Sequence, residues 1–131
     1  MKTTILLALA VLVLMAGAAG AADKAMIVVS AEGQTAQASV SALVARAAFF
    51  LFYDKTGKLL EAVPNPYRQG GGSGITVVDF LAGKGVSVIV AEGFGSQIVN
   101  EIRSKDIAVV SFKGSAVDAV KSVLQSKKAD K

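Results

Sequence analysis

The sequence predicts a single α/β domain, and three observations carry that prediction. Four apolar runs of strand length, rich in Val, Ile and Phe, occur at residues 25–30, 49–54, 86–91 and 107–112. In the second half, stretches with helical spacing alternate with these runs, the pattern of strands joined by helices. The chain has 131 residues and is 53% hydrophobic, enough for one buried core and too short for two ordinary domains.

Taken in order, Ala25–Ser30 (AMIVVS) reads as a buried first strand. Residues 31–48 are Ala-rich without a clean period and read as a loop, with a helical turn near Val40–Arg46. Phe49–Asp54 and Lys58–Val63 form a hairpin around Asp54-Lys55-Thr56-Gly57. Pro64-Asn65-Pro66 ends it, because proline cannot donate to a strand ladder. After the run Gly70–Gly74, Ile75, Val78 and Leu81-Ala82 recur at helical spacing, and Gly83 stands where a glycine closes a helix. Val86–Ala91 reads as a strand buried on both faces. A helix over Gln97–Ser104 follows, with Ile98, Val99 and Ile102 inward. Ile107–Phe112 reads as another buried strand. In the last helix Ser115 and Asp118 have capping spacing, and Val117, Val120 and Leu124 face inward. Parallel strands from the second half and a hairpin from the first fit a five-stranded mixed sheet with about three helices. That arrangement resembles the ribonuclease H-like fold.

The ends read differently from the body. Lys2, the apolar stretch Ile5–Met15 and the small residues Ala16–Ala22 have the order of a cleavable secretion signal, so residues 1–22 are expected to be removed. The mature chain then begins near Ala22 or Asp23, exported to the periplasm or the medium, with no stable membrane anchor. The domain is expected over residues 23–124, and 125–131 as a flexible tail.

The chain has no cysteine and no histidine. That removes disulfides, thiolate-held clusters, Cys/His zinc sites and Ser-His-Asp or Cys-His catalysis. Net charge is +4, and loss of residues 1–22 removes only Lys2. This mild, unclustered excess does not make a nucleic-acid stripe. Glu32 and Glu92 end strands, but two acids make a poor two-metal hydrolase. The sequence therefore points to a binding protein rather than an enzyme.

The stretch Tyr53–Leu124 resembles the dinitrogenase iron–molybdenum cofactor biosynthesis family, the NifX-like domain also found at the C-terminus of NifB. The features that carry the resemblance are the hairpin with Asn65-Pro66, the run Gly70–Gly74, the strand-turn-helix at Val86–Gln97, and Gly114 before the last helix. Met26–Ser30 matches the opening strand. The family's His-Phe-Gly-Arg-Ala segment reads Leu43-Val44-Ala45-Arg46-Ala47 here, so its arginine is kept and its histidine is not. The resemblance implies the fold and a small anionic ligand, an iron–molybdenum or other metal–sulfur cluster.

Three glycine-bearing loops are candidate binding elements: Gly70, Gly71, Gly72, Ser73 and Gly74; Gly93, Gly95 and Ser96; and Gly114 with Ser115. Each leads into a helix, where free main-chain amides can hold an anion. Arg46 and Arg68 could add charge-assisted grips. The same glycines and serines also serve as ordinary turns and caps. A second reading is a ligand-free module that docks to another exported protein through Leu43–Ala48 and Phe94.

Overall fold

The computed structural model describes residues 25–69 and 74–129. The expected secretion signal, residues 1–22, lies outside them. The elements are strands β1 (Ile27–Ala31), β2 (Phe49–Tyr53) and β3 (Leu59–Pro64), helix α1 (Gly74–Ala82), strand β4 (Val88–Ala91), helix α2 (Ser96–Ser104), strand β5 (Ala108–Ser111) and helix α3 (Ala116–Ala129). A 3-10 turn at Val44–Arg46 precedes β2. The five strands form one mixed sheet in the order β3-β2-β1-β4-β5.

β1 is the central strand, and all five of its residues are buried. It runs antiparallel to β2, with Val29 opposite Leu51, and parallel to β4, with Ile27 opposite Val88. β4 continues parallel to β5. The expected hairpin joins β2 and β3, with a register shift between Phe52 and Tyr53. Its turn is closed by Asp54. One carboxylate oxygen of Asp54 accepts from the Thr56 amide (2.8 Å), the Thr56 hydroxyl (2.6 Å) and the Lys58 amide (3.0 Å).

Alternation along the strands divides the core between the two sheet faces. On one face Val28, Phe50, Phe52 and Ile89 pack against Val77, Val78 and Leu81 of α1 and Ile102 of α2. On the other, Ile27, Val29, Leu51 and Val90 pack against Ala116, Ala119, Val120 and Val123 of α3. So α1 and α2 share one face and α3 covers the other.

Four readings need correction. β5 is an edge strand with exposed ends, not a buried one; it has β4 on one side only. Ile75 is 42% exposed and does not join the α1 core, which uses Val77 instead. The inner stripe of α3 is shifted by one residue. It uses Ala116, Ala119 and Val123 with Val120, because small alanines allow close approach to the sheet, while Val117 is only half-buried. Finally, α3 runs through Ala129, past Gln125, since the sequence QSKKA is made largely of good helix formers.

Candidate functional site

Strand direction brings the loops of interest to one end of the sheet. The parallel strands β1, β4 and β5 end there, and the antiparallel pairing sets the start of β2 and the end of β3 beside Ala31. Loops at the C-terminal ends of parallel strands are where open α/β sheets place ligands.

Two of the three glycine-bearing segments meet at this end. A cleft of about 350 Å³ is lined by Gly74 and Ile75 at the start of α1, and by Gly95, Ser96, Gln97 and Ile98 at the start of α2. Both helices thus direct their N-terminal ends toward the same space. Gly95, the residue before α2, has φ 81° and ψ 147°, and no side chain caps the helix. The first amides of α2 have no partner within the helix, as at any helix start. The two helices approach so closely that a Cβ added at Gly74 would lie 2.2 Å from Ile98 Cδ1. They are also tied at their other side by Lys105, which lies 3.2 Å from Asp79 and 3.4 Å from Glu101. The hydrogen bond to Asp79 raises the Lys105 pKa above its ordinary value.

The wall beside the cleft is built from the segment after β1. Residues 41–44 run along Glu92 and Gly93: the Glu92 amide donates to the Ser41 carbonyl (2.9 Å) and the Val44 amide to the Gly93 carbonyl (3.2 Å). At Gly93 a Cβ would lie 3.0 Å from the Ala42 carbonyl oxygen, so a side chain there would need the facing segment to give by a few tenths of an ångström. Phe94 is buried in the core at 7% exposure, while Leu43 is 46% exposed. Phe94 is therefore not a contact residue for a partner. The 3-10 turn packs on the start of α1, with Ala45 Cβ 4.0 Å from the Cβ position of Gly74. Arg46, on that turn, is exposed, as is Arg68 in the turn after β3. Neither guanidinium has an ion-pair partner among the described residues. Gly70, Gly71, Gly72 and Ser73 lie outside the described residues.

The third segment is placed differently. Gly114 and Ser115 lead into α3, on the opposite sheet face. There the Ala116 and Val117 amides donate to the carbonyls of Ala38 and Ala36, each at 2.8 Å. Ser115 Oγ accepts from the Asp118 amide at 3.3 Å. The amides that would greet an anion are already taken by the chain itself, so this helix start does not contribute to the cleft.

One contributor was not singled out for chemistry in the sequence. Asn65 is buried at 8% exposure. Its Nδ2 donates to the carbonyls of Ala45 (3.1 Å) and Ala47 (3.0 Å), and its Oδ1 accepts from the Tyr67 amide (2.9 Å). The Asn-Pro pair is visible in the sequence, but its long-range partners are not.

Among the described residues no group of three His, Cys, Asp or Glu side chains could hold a metal ion. What the cleft offers is main-chain donors, the positive ends of two helix dipoles and apolar side chains. These features define a small α/β protein with a five-stranded mixed sheet and helices on both faces. The model of a family described as dinitrogenase iron–molybdenum cofactor matches residues 24–126, and the chain belongs to that family. Among solved structures, it is similar to the apo form of the orange protein from Desulfovibrio gigas, at 26% identity over 82% of this chain and 92% of that one, with a TM-score of 0.71. It is also similar to a Thermotoga protein described as a NifB protein, at 26% identity over 78% and 88%, with a TM-score of 0.63. A Methanocaldococcus jannaschii protein described as a dinitrogenase is 9% identical over 77% and 88%, with a TM-score of 0.53, and shares the fold alone. No curated protein matches this sequence significantly.

Proposed function

We propose that the protein is an exported NifX-like binding protein that holds a small anionic metal–sulfur species in the cleft between α1 and α2. The carrying observation is that two helix N-termini open onto one cleft and the second has no side-chain cap. Each helix start carries roughly half a positive charge and favours an anion by about 0.3–2 kcal/mol. Two such ends fall short of the roughly 8 kcal/mol that micromolar binding requires. Guanidinium donors, worth about 1.5–3 kcal/mol each when charge-assisted, make up much of the difference. Arg46 and Arg68 fill that role in this reading.

The donor chemistry also defines the cargo. With no thiolate or imidazole anywhere in the chain, the protein offers a cluster none of the usual metal ligands, which favours an anion that brings its own sulfide ligands. Amides and guanidinium groups then hydrogen-bond to the outer sulfurs, while Ile75 and Ile98 supply apolar lining. The protein acts as a holder or carrier, and no catalytic step is assigned to it.

The experiment is a titration of the protein, purified from the cell that makes it, with tetrathiomolybdate, followed by visible absorption. Saturable binding weakened by Arg46→Ala is expected. Absence of binding at millimolar anion, or binding indifferent to Arg46→Ala, would sink the reading. Mass spectrometry of the same sample tests export, with a mature start near Ala22 or Asp23 expected.

A second reading rests on Leu43 and Ile75, which are exposed apolar side chains at 46% and 42%. They suit a docking contact with another exported protein. Sedimentation of the protein with and without the anion separates the two readings, since a docking module would associate in the anion's absence.

A further inference from the structure

The loop between β3 and α1 contains a side chain whose polar atoms are all committed to one junction. Asn65 Nδ2 bonds the carbonyls on both sides of Arg46, at Ala45 (3.1 Å) and Ala47 (3.0 Å). Its Oδ1 holds the Tyr67 amide at 2.9 Å. Its own amide donates to the Ala48 carbonyl (3.1 Å), and its carbonyl accepts from the Arg68 amide (3.4 Å). One residue thus joins the segment that carries Arg46 to the turn that carries Arg68.

The Arg46 segment needs this support. Its 3-10 turn has three residues and is closed by two bonds, Arg46 to Leu43 at 3.1 Å and Ala47 to Val44 at 3.5 Å. So short a turn is not stable alone. The Ala45 and Ala47 carbonyls, in and just after the turn, take no part in its two closing bonds, and Asn65 supplies a donor to each. Only a primary amide offers two donors and an acceptor at this reach; Asp lacks the donors.

We infer that Asn65 is a positioning residue for anion binding. It fixes the backbone bearing Arg46 against the start of α1, at the cleft, and ties it to the turn bearing Arg68, without touching the ligand. This rests on the cleft being the anion site. Fixing the backbone removes freedom that each exposed arginine would otherwise lose on binding.

A double-mutant cycle tests the assignment. Tetrathiomolybdate affinity is measured for the wild type, Asn65→Ala, Arg46→Ala and the double variant, with thermal midpoints alongside. Arg46→Ala should weaken binding about tenfold, as for loss of one charge-assisted contact, and Asn65→Ala at least as much. The double should be no weaker than Asn65→Ala alone, because that substitution already removes what Arg46 contributes. Wild-type affinity in Asn65→Ala, or penalties that multiply in the double, would overturn the assignment while leaving the cleft intact. A wild type that fails to bind would instead overturn the cleft reading, and this inference with it. If Asn65→Ala does not fold, Asn65→Ser keeps one donor and one acceptor, and the same comparison decides.

Discussion

Gly74 and Ile98 are in such close contact that the start of α1 has no room for a Cβ: one built there lies 2.2 Å from Ile98 Cδ1 and 2.7 Å from Cγ1. The glycine that ends the run Gly70–Gly74 is therefore a packing requirement of the cleft as well as a feature of its loop. Gly74→Ala should cost about 1 kcal/mol through overpacking. In an Ile98→Ala background the same substitution should become neutral or stabilising, since alanine favours the helix by about 1 kcal/mol over glycine. Urea denaturation of the four proteins reads the change of sign.

Gly95 is constrained for a different reason. Nothing lies within 4 Å of its Cβ position, but φ 81° and ψ 147° are backbone values that side chains resist. Gly95→Ala should cost about 1–3 kcal/mol in stability and turn the first amides of α2. Tetrathiomolybdate affinity should fall with it. Equal stability to the wild type in chemical denaturation would show that the backbone there relaxes freely.

Tyr53 is 2% exposed, and its hydroxyl has no hydrogen-bond partner among the described residues. Burial raises its pKa above 10.0. Tyr53→Phe should therefore stabilise the fold by roughly 0.5–1 kcal/mol, because it removes an unpaired buried polar group. Its folded-state pKa is raised, so its contribution is intact below 10.0 and drains away as pH rises from there through the folded value. The phenylalanine variant should lack that alkaline loss in thermal melts.

Asp54 has the opposite sign. The Thr56 hydroxyl, then the Lys58 amide, hold its carboxyl pKa below 3.8. The stabilisation is present above 3.8 and is lost as pH falls through the lower folded-state value. Asp54→Asn should be less stable near neutrality and show a shallower acid-induced loss. Melts from about pH 6 to about pH 2 check the slope.

Much of the fold could be read directly from local pattern. Val and Ile runs marked β1 and β4, and Pro64 closed the hairpin, because a fully buried strand and a proline stop leave plain local traces. β5 was misjudged because Ala-Val-Val-Ser looks alike at the centre of a sheet and at its edge; only neighbours distinguish the two. Ile75 fits the helical period of α1, yet it sits at the first turn, where the period runs beyond the sheet. The site was legible in part. Glycine spacing identified the starts of α1 and α2, whereas the capture of the Ala116 and Val117 amides by Ala36 and Ala38 depends on a loop some 80 residues earlier. Asn65 escaped for the same reason, its partners lying 20 and 18 residues away.

The order β3-β2-β1-β4-β5 has one further consequence. β1 enters the sheet at Ile27, at the end remote from the cleft. α3 starts beside Ala38 and comes down past Gly57, where Leu124 Cδ1 lies 3.0 Å from the glycine's Cβ position, so it finishes at that remote end too. Fusion partners or surface linkers joined at Ala25 or after Ala129 would leave from the underside, and an immobilised molecule would present its cleft-bearing end to the bulk solution.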